Sequence, residues 1–563
     1  MLLRNKKLRI FIGAAIFLAA LFLSVNIQVL PALADTLGQK QSFIVNSTYD
    51  KFSRTQAAAT LIHISSKAYF YVDDRYWDNL NQIGQNDLTD KIYDLASAFD
   101  NVIYPKETEF WGSEPNPGID GDPKITIVLE QLISGNGGYF DTINGYAVES
   151  SNKREIFFAS VEAVNTNIQN AKMFLAHEFQ HLISFNQKDI LRKVTEDVWL
   201  NELRSEYSVS LVGYNEPYVG SSLERRADLF TEQPSDSLTE WPNVSLDYAQ
   251  IALFGEYLVE QYGPEILKET LHGPYIGIES INNFLISRNY KERFSDIFGN
   301  WAIANYINDI SSDKKFGYTA EGLKDIKITP LSNINLLNQL AYSFYYSLKP
   351  WQPAWYKFNI GQSVLVSKAI KIDFSAGAYF RIFYADNLGR AGVLSNSAYV
   401  DDPGGLTDFV IIPINQSKVS DFGKNDTSAA FSFSINFVDA GLGRGLSALK
   451  DGLLIKRPNE KEMYVIDGKY KRYLNPGVIA LYGQLDPAMS IELDDALFNS
   501  YAAANYVREA NDKKVYAVWP DGTKHWLNMA GEYFAQSGRD WGSIFVINQL
   551  ELNFYKTGVE ITK

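Results

Sequence analysis

Residues 171–186, Ala-Lys-Met-Phe-Leu-Ala-His-Glu-Phe-Gln-His-Leu-Ile-Ser-Phe-Asn, predict a single amphipathic helix around which the rest of the chain is organised. Apolar residues recur along it at helical spacing, and neither Gly nor Pro interrupts it. His177 and His181 are four residues apart, so both imidazoles project from one face of the helix. Two neutral imidazoles placed in this way can hold one Zn²⁺, and the carboxylate of Glu178 can then reach a water molecule on the metal.

A single His on a half-buried helix is usually a structural core residue, and this alternative must be weighed. The chain has only five His in 563 residues, so a pair at this spacing with Glu between them favours a metal site. Glu202 lies in the downstream run Asn-Glu-Leu-Arg-Ser-Glu (201–206) and is the predicted third ligand, which leaves a fourth position open for water. Glu196, Asp197 and Glu206 are the alternatives for that third ligand.

These motifs resemble the gluzincin pattern of zinc metallopeptidases. In that group, His-Glu-x-x-His is completed by an Asn-Glu on a second helix, and an acidic residue one turn later supports a His ligand. The context Ala-His-Glu-Phe-Gln-His-Leu-Ile (176–183) and the upstream run Gly-Ile-Asp-Gly-Asp-Pro-Lys-Ile-Thr-Ile-Val-Leu (118–129) are similar to the secreted hyicolysin-type peptidases, and more distantly to the immune-inhibitor-A type. The resemblance covers roughly residues 60–310. It implies that Glu206 supports a His ligand, although thermolysin-like enzymes carry Asp at this position.

We therefore expect a zinc-dependent endopeptidase in which Glu178 is the general base on a metal-activated water. Gluzincins commonly use a Tyr or His to stabilise the oxyanion, and Tyr248, at the start of a predicted helix over residues 248–262, is the residue expected to do so here. The alternative function is a surface-binding or adhesive protein whose peptidase-like domain is inert. The intact set of ligands and base argues against it.

The N-terminus predicts export. A basic segment (residues 4–9), an apolar run (10–30) and Ala-Leu-Ala (32–34) are typical of a signal peptide cleaved after Ala34, with a retained anchor as the alternative. We expect a secreted protein, extracellular or at the cell surface. The absence of Cys excludes disulfides and thiol catalysis. A net charge of −14, with no basic block in the mature chain, argues against nucleic acids and anionic membranes as partners.

Changes in pattern along the chain predict its domains. Residues 1–34 form the signal peptide, 35–330 an α+β zincin-like catalytic domain, 331–445 a β-sandwich, and 446–563 a small repeat-containing domain. Within the catalytic domain, Glu155–Ser160 is predicted to be an edge strand that pairs with extended substrate. Asp120 and Asp122 are weak candidates for Ca²⁺ binding, because Asp in such a turn also serves the backbone.

The C-terminal region contains an internal repeat. Arg-Tyr-Leu-Asn (472–475) recurs as His-Trp-Leu-Asn (525–528), a shift of 53 residues. Each copy is predicted to form a hairpin followed by a helical or irregular tail. Tyr473 and Trp526 are candidates for contact with glycan or cell wall, and packing between the two copies is the preferred alternative.

Overall fold

The computed structural model describes residues 34–562, apart from 239, 312, 337–340, 361–367, 378, 395–396, 401–404, 419–425, 440–450, 494 and 511. Residues 1–33 of the predicted signal peptide therefore lie outside the described part of the chain. Within the described part, no helix has both the length and the apolar character needed to cross a membrane. The chain divides into two compact units: the first extends to Asn101 and resumes over Glu114–Ala171, and the second comprises Val102–Ser113 and the chain from Lys172 onward.

The first unit contains a six-stranded sheet in the order β1-β2-β3-β4-β6-β5. Its strands are β1 (Lys40–Ile44), β2 (Gln56–Ile64), β3 (Ala68–Asp73), β4 (Ile125–Glu130), β5 (Gly138–Tyr139) and β6 (Ile156–Ser160). Strands β3, β4 and β6 are parallel and every residue in them is buried, as their nearly continuous apolar sequences require. The prediction of an edge strand over Glu155–Ser160 was wrong for its second half, because β5 pairs with Phe158 and Ala159 on the side away from β4.

Fifteen α-helical segments occur in the described residues. They are α1 (Asp74–Trp77), α2 (Gln82–Ala98), α3 (Tyr104–Trp111), α4 (Val161–Thr166), α5 (Ile168–Phe185), α6 (Val198–Val212), α7 (Ser222–Glu232), α8 (Ser245–Tyr262), α9 (Glu265–His272), α10 (Gly277–Ser287), α11 (Phe294–Ile307), α12 (Pro476–Ile479), α13 (Asp495–Ser500), α14 (Gly531–Gln536) and α15 (Gln549–Phe554). The predicted helix over residues 171–186 is the main part of α5, which passes into a π-helical turn at Asn186–Ile190.

A buried ion pair fixes α6 in the second unit. Arg204 on α6 is fully buried, and its guanidinium lies 2.7 Å from the carboxylate of Glu196 and donates to Thr270 Oγ1 on α9. Lys188 lies 3.3 Å from the same carboxylate. Charges at this depth are tolerated only when they are paired, and this cluster connects the middle of α6 to α9 through side-chain hydrogen bonds.

Two sheets follow the helices, in the orders β13-β10-β15-β8 and β12-β11-β14-β9-β7. Their strands are β7 (Ser332–Leu336), β8 (Ala341–Leu348), β9 (Tyr356–Ile360), β10 (Lys368–Ser375), β11 (Phe380–Asp386), β12 (Ala391–Leu394), β13 (Ser397–Val400), β14 (Asp408–Asn415) and β15 (Ala429–Asp439). Inward-facing residues of both sheets share one apolar core, which includes Phe358, Phe409 and Phe433. The mixed α and β content and the β-rich C-terminal region agree with the predicted multidomain chain.

The segment between β8 and β9 joins the two sheets to the helices of the second unit. Trp351 is fully buried, and its ring lies 4.9 Å from Phe294 and 5.5 Å from Phe298 on α11. The backbone of this segment accepts hydrogen bonds from Leu238 N (3.2 Å to Trp351 O) and Ser237 Oγ (2.6 Å to Pro350 O). The loop that precedes α8 is therefore fixed by residues more than a hundred positions later in the chain.

The sequence repeat corresponds to two small sheets with the same strand order and directions. Copy 1 has the order β19-β16-β17-β18-β20 and copy 2 the order β24-β21-β22-β23-β25. The strands are β16 (Leu454–Lys456), β17 (Met463–Asp467), β18 (Tyr470–Leu474), β19 (Ile491–Glu492), β20 (Ala502–Ala503), β21 (Tyr506–Glu509), β22 (Tyr516–Val518), β23 (Thr523–Trp526), β24 (Ile544–Ile547) and β25 (Lys556–Thr557). In both copies an antiparallel three-stranded meander gains a parallel strand at each edge.

Candidate metal centre

Three side chains from α5 and α6 converge on one point in the second unit. Nε2 of His177 lies 3.2 Å from Nε2 of His181 and 3.2 Å from Oε2 of Glu202, and Nε2 of His181 lies 3.4 Å from the same Oε2. In the described part of the chain, this is the only group of three or more His, Asp or Glu side chains close enough together to share a metal ion. The structure thus brings together the three ligands that the sequence predicts.

The spacing of these three atoms fits zinc. Tetrahedral Zn²⁺ with bonds of about 2.0–2.1 Å places its ligand atoms about 3.3 Å apart, which matches the observed triangle of 3.2, 3.2 and 3.4 Å. Two imidazole nitrogens and one carboxylate oxygen are also a donor set that zinc accepts, and three protein ligands leave one position for water or substrate. The residues present therefore fit the ion.

The ring of His181 is oriented from behind by a hydroxyl. Ser205 Oγ donates to Gln180 Oε1 at 2.6 Å and lies 3.1 Å from Nδ1 of His181. Because the Ser205 proton is used on Gln180, the hydroxyl oxygen is free to accept from Nδ1–H of His181. That hydrogen bond leaves the lone pair on Nε2, the atom that faces the proposed metal position. Sequence reasoning missed Ser205 and Gln180, although Ser205 follows Glu202 by three residues and so shares its helix face.

The ring of His177 has a charged support. Nδ1 of His177 lies 3.5 Å from Oε1 of Glu206, as expected for an acidic residue behind a ligand. The carboxylate of Glu206 accepts two hydrogen bonds from Arg226 on α7, at 3.0 Å and 3.2 Å. This two-point contact fixes the carboxylate plane and so the direction in which Glu206 faces His177. Arg226 was also missed, because nothing in the sequence indicates that a side chain of α7 reaches α6.

Glu178 is buried beside the triangle. One of its carboxyl oxygens, Oε2, has no hydrogen-bond partner among the described residues. Burial raises the pKa of Glu178 to about 8, with Glu202 and Glu206 adding to the rise and His181 opposing it. The opposite holds for Glu202: burial acts to raise its pKa, but His181 and His177 lower it overall. Neighbouring carboxyls thus differ in proton affinity, as a general base and a metal ligand require.

Tyr248 lies in the first turn of α8, with its ring centroid 6.3 Å from that of His177. Its hydroxyl donates to Asn243 Oδ1 at 2.7 Å, and the guanidinium of Arg226 lies 4.9 Å from its ring centroid. Trp241 packs edge-on against it, with the ring centroids 5.4 Å apart. The loop that supplies Asn243 and Trp241 is the one fixed by Pro350 and Trp351, so the position of Tyr248 depends on distant residues.

The other acidic candidates are used elsewhere. Glu196 binds Arg204 and Lys188 and accepts from Gly277 N at 2.7 Å. Asp197 caps the start of α6 by position and is not part of the ligand triangle. In the first unit, Asp122 accepts from the Tyr69 hydroxyl at 2.8 Å and from Lys124 N at 2.9 Å, and Asp120 accepts from Asp122 N. Acidic turn residues commonly make such hydrogen bonds, and binding of Ca²⁺ there stays a prediction.

Comparison with known proteins agrees with this geometry. The chain is 32% identical over 227 residues to the neutral metalloprotease ShpI of Staphylococcus hyicus, a match that covers 36% of this chain and 50% of that protein. The match supports a metalloprotease family. The chain spans about half the length of this curated relative, so the activity and substrates of the whole protein are addressed below as proposals. No protein-family model matches the sequence.

Solved structures add little. Periplasmic inhibitors of g-type lysozyme from Salmonella Typhimurium, Escherichia coli and Aeromonas hydrophila align with 19% of this chain and with 98–99% of their own. Their identities are 10%, 10% and 6%, and the TM-scores are 0.14, 0.14 and 0.15. Scores this low carry no conclusion about fold or function.

Proposed function

We propose that the protein is a zinc-dependent endopeptidase with a gluzincin-type, zincin-like catalytic domain. The observation that carries the proposal is the triangle of His177 Nε2, His181 Nε2 and Glu202 Oε2, whose sides match the ligand spacing of tetrahedral zinc. Similarity to a neutral metalloprotease supports the same function from an independent direction.

His177, His181 and Glu202 would hold the ion, while Ser205 and Glu206 orient the two imidazoles. When bound, Zn²⁺ supplies a Lewis acid that acidifies a water molecule and polarises the substrate carbonyl. Glu178 accepts the proton that the water loses and delivers it to the departing amine. Its burial suits this role, because a carboxylate removed from bulk water takes up a proton readily.

Tyr248 is the proposed donor to the oxygen that becomes negative during attack on the peptide carbonyl. Its hydroxyl is held by Asn243, and a shift of that loop would be needed to redirect it towards substrate. The substrates are proteins or peptides. We further propose, from the N-terminal sequence alone, that the protein is exported and acts outside the cell or at its surface.

The test uses the purified mature protein with casein, with and without a chelator, and measures bound metal in parallel. The proposal requires about one zinc per chain, chelator-sensitive cleavage of casein, and recovery of cleavage when zinc is restored. A chain that binds zinc but cleaves neither casein nor short peptides would instead support the inert, surface-binding alternative. A chain that holds no zinc would contradict the proposed ligand set.

A further inference from the structure

An open groove of about 970 Å³ lies in the C-terminal half of the second unit, on residues that the proposed chemistry does not use. Its walls are the end of β10 and residues of both repeat copies, most of them from copy 2. Residues that line it include Asp373, Ser375, Asp467, Arg508, Asp512 and Trp541. A smaller hollow of about 220 Å³ shares Ser375 and Arg508 with it and extends to Tyr345 and Ser432. The two form one continuous channel of a size typical for small-molecule or oligomer binding.

We propose that this groove binds an oligosaccharide, with Trp541 and Tyr345 stacking on sugar rings and Arg508 and the aspartates binding sugar hydroxyls between them. The inference goes beyond the proposed peptidase function and does not depend on it.

Both aromatic side chains are open to solvent. Trp541 is 52% exposed and Tyr345 79% exposed. One side of Trp541 packs on Phe534, with ring centroids 4.7 Å apart, and its turn is held by Asp540, which accepts from Gly542 N at 2.8 Å and from the Tyr470 hydroxyl at 2.6 Å. Tyr345 stands on a face of small side chains, opposite Ser432 in the register. The Trp541 ring is therefore held on one side and free on the other, and such a ring provides apolar contact at little cost in conformational entropy.

Arg508 lies where the two hollows meet. Its Nη1 donates to the carbonyls of Glu509 and Ala510 at 3.2 and 3.1 Å. Among the described residues it forms no ion pair, so a guanidinium edge remains for a ligand. Asp467 lies on the opposite repeat copy, and burial together with the charge of Asp451 raises its pKa to about 6. A hydrogen-bond donor, the Arg508 guanidinium, and an acceptor, the Asp467 carboxyl group, therefore both line the groove.

Comparison of the two repeat copies shows that the fold does not require these features. By strand register, Lys456 in copy 1 corresponds to Arg508, and Glu492 corresponds to Val546. Lys456 lies 3.0 Å from Glu492, so the cation is paired in copy 1, whereas the Val in copy 2 leaves Arg508 without that carboxylate. Among the described residues, the two copies therefore differ in whether the cation at this position has a carboxylate partner.

The exposed ring of Trp541 is also present in only one of the two repeat copies. Asp486 and Asp540 cap equivalent 3₁₀ turns, which begin with Pro487 in copy 1 and with Trp541 in copy 2. Asp486 forms an ion pair with Arg293, so the copy 1 turn faces the helices of the unit, while the copy 2 turn presents its Trp to the groove. A large apolar ring that the common fold does not need, placed at the edge of a channel, indicates a ligand.

The charges select among ligand classes. Asp373, Asp451, Asp467 and Asp512 outnumber Arg508 and Lys513 in the groove, which disfavours nucleic acids and other anionic polymers. A carbohydrate meets both kinds of polar group, since each hydroxyl can donate to a carboxylate and accept from a guanidinium. Its C–H faces also match the flat aromatic surfaces. A cationic peptide is the competing occupant, and the test separates the two.

The experiment titrates the full chain with cellohexaose, maltohexaose, the hexamer of β-1,4-linked N-acetylglucosamine, and a Lys-rich hexapeptide, using calorimetry and intrinsic fluorescence. We expect at least one of the sugars to bind. Trp541→Ala and Tyr345→Ala should each weaken that binding roughly tenfold, and Arg508→Gln should weaken it by a similar factor. Trp519→Ala, which removes a 46% exposed Trp of the same copy outside the groove, should leave it unchanged.

Circular dichroism and thermal unfolding establish that each variant is folded, and Tyr345→Ala provides a second readout should Trp541→Ala fail to fold. Binding of none of the three sugars, or sugar binding that is insensitive to both Tyr345→Ala and Trp541→Ala, overturns the proposal. Binding of the Lys-rich peptide alone overturns it in favour of a cationic peptide site. Cleavage of a short peptide should be the same in all folded groove variants.

Discussion

The metal centre and the C-terminal groove arrange their polar groups in opposite ways. At the candidate metal centre the groups behind the predicted ligands are paired within the protein: Ser205 orients His181, Arg226 orients Glu206, and Glu206 faces His177. In the groove Arg508 forms no ion pair with any described residue, and two aromatic rings remain exposed. A small ion needs ligand atoms that are held in fixed positions, whereas an extended ligand needs polar groups and rings that are accessible from solvent. Changes at one site should therefore leave the other intact.

Glu178→Gln should have the largest effect on one site while leaving the other unchanged. Loss of the general base alone should lower peptide turnover by roughly 10²–10⁴-fold, while zinc content stays near one per chain. The measurements are turnover of a quenched fluorescent peptide and metal analysis of the same sample. Binding of whichever of the three test hexasaccharides the groove takes provides the matched control and should not change. Near-normal turnover in a zinc-loaded variant would remove Glu178 from the mechanism.

The next largest effect should be on zinc retention, with Glu202→Ala compared to Glu206→Ala. Glu202 belongs to the ligand triangle, so its loss should nearly abolish zinc after dialysis. Glu206 supports His177 from behind, and such changes weaken metal affinity or activity by roughly 10–100-fold. Zinc stoichiometry after equal dialysis distinguishes the two. The assignment would be reversed if Glu206→Ala lost the metal and Glu202→Ala kept it.

A smaller effect is expected from Arg226→Gln. This change removes both hydrogen bonds to Glu206 but leaves Glu206 itself, so zinc affinity should fall by about tenfold, no more than in Glu206→Ala. Competition with a chromophoric chelator measures the affinity. Arg225→Gln on the exposed face of the same helix is the control, and Arg226→Lys should restore part of the loss. Unchanged affinity in Arg226→Gln would limit this residue to packing on Tyr248.

The smallest predicted effect concerns stability rather than catalysis. Glu107 on α3 is fully buried with neither carboxyl oxygen hydrogen-bonded among the described residues, and burial raises its pKa well above the ordinary value of 4.5. The unfolded chain releases this proton above pH 4.5 and the folded protein does not, so Glu107 costs stability as pH rises. Relative to the natural protein, Glu107→Gln should gain up to about 1.4 kcal/mol per pH unit above pH 4.5.

Unfolding of both proteins at pH 5 and pH 7 measures this difference, and Glu109→Gln on the exposed side of the same helix is the control. A gain that is equal at the two pH values would show that Glu107 is ionised in the folded protein. Peptide turnover and sugar binding should be unaffected, because Glu107 belongs to neither site.

The sequence by itself predicted the three side chains that the structure brings together, and the buried acidic residue beside them. His177 and His181 must share a helix face because four residues make about one turn, and Glu202 and Glu206 must share another for the same reason. The 53-residue repeat was also readable from the sequence, because each copy has the same pattern of turns and strands. The two copies form sheets with the same strand order. Local periodicity determines such features before any long-range contact forms.

Only the tertiary structure decided which partners these residues meet. Glu196 is a glutamate like Glu202, but its carboxylate forms ion pairs with the buried Arg204 and Lys188. Arg226 reaches Glu206 because α6 and α7 both pack on α8. Strand β6 is not a full edge strand because a two-residue strand pairs with it. Trp351 fixes the loop before Tyr248 from a later part of the chain. Arg508 lies opposite Val546 in the sheet, where copy 1 has a carboxylate instead. Such pairings depend on how separate elements pack together, and periodicity within one element carries no information about them.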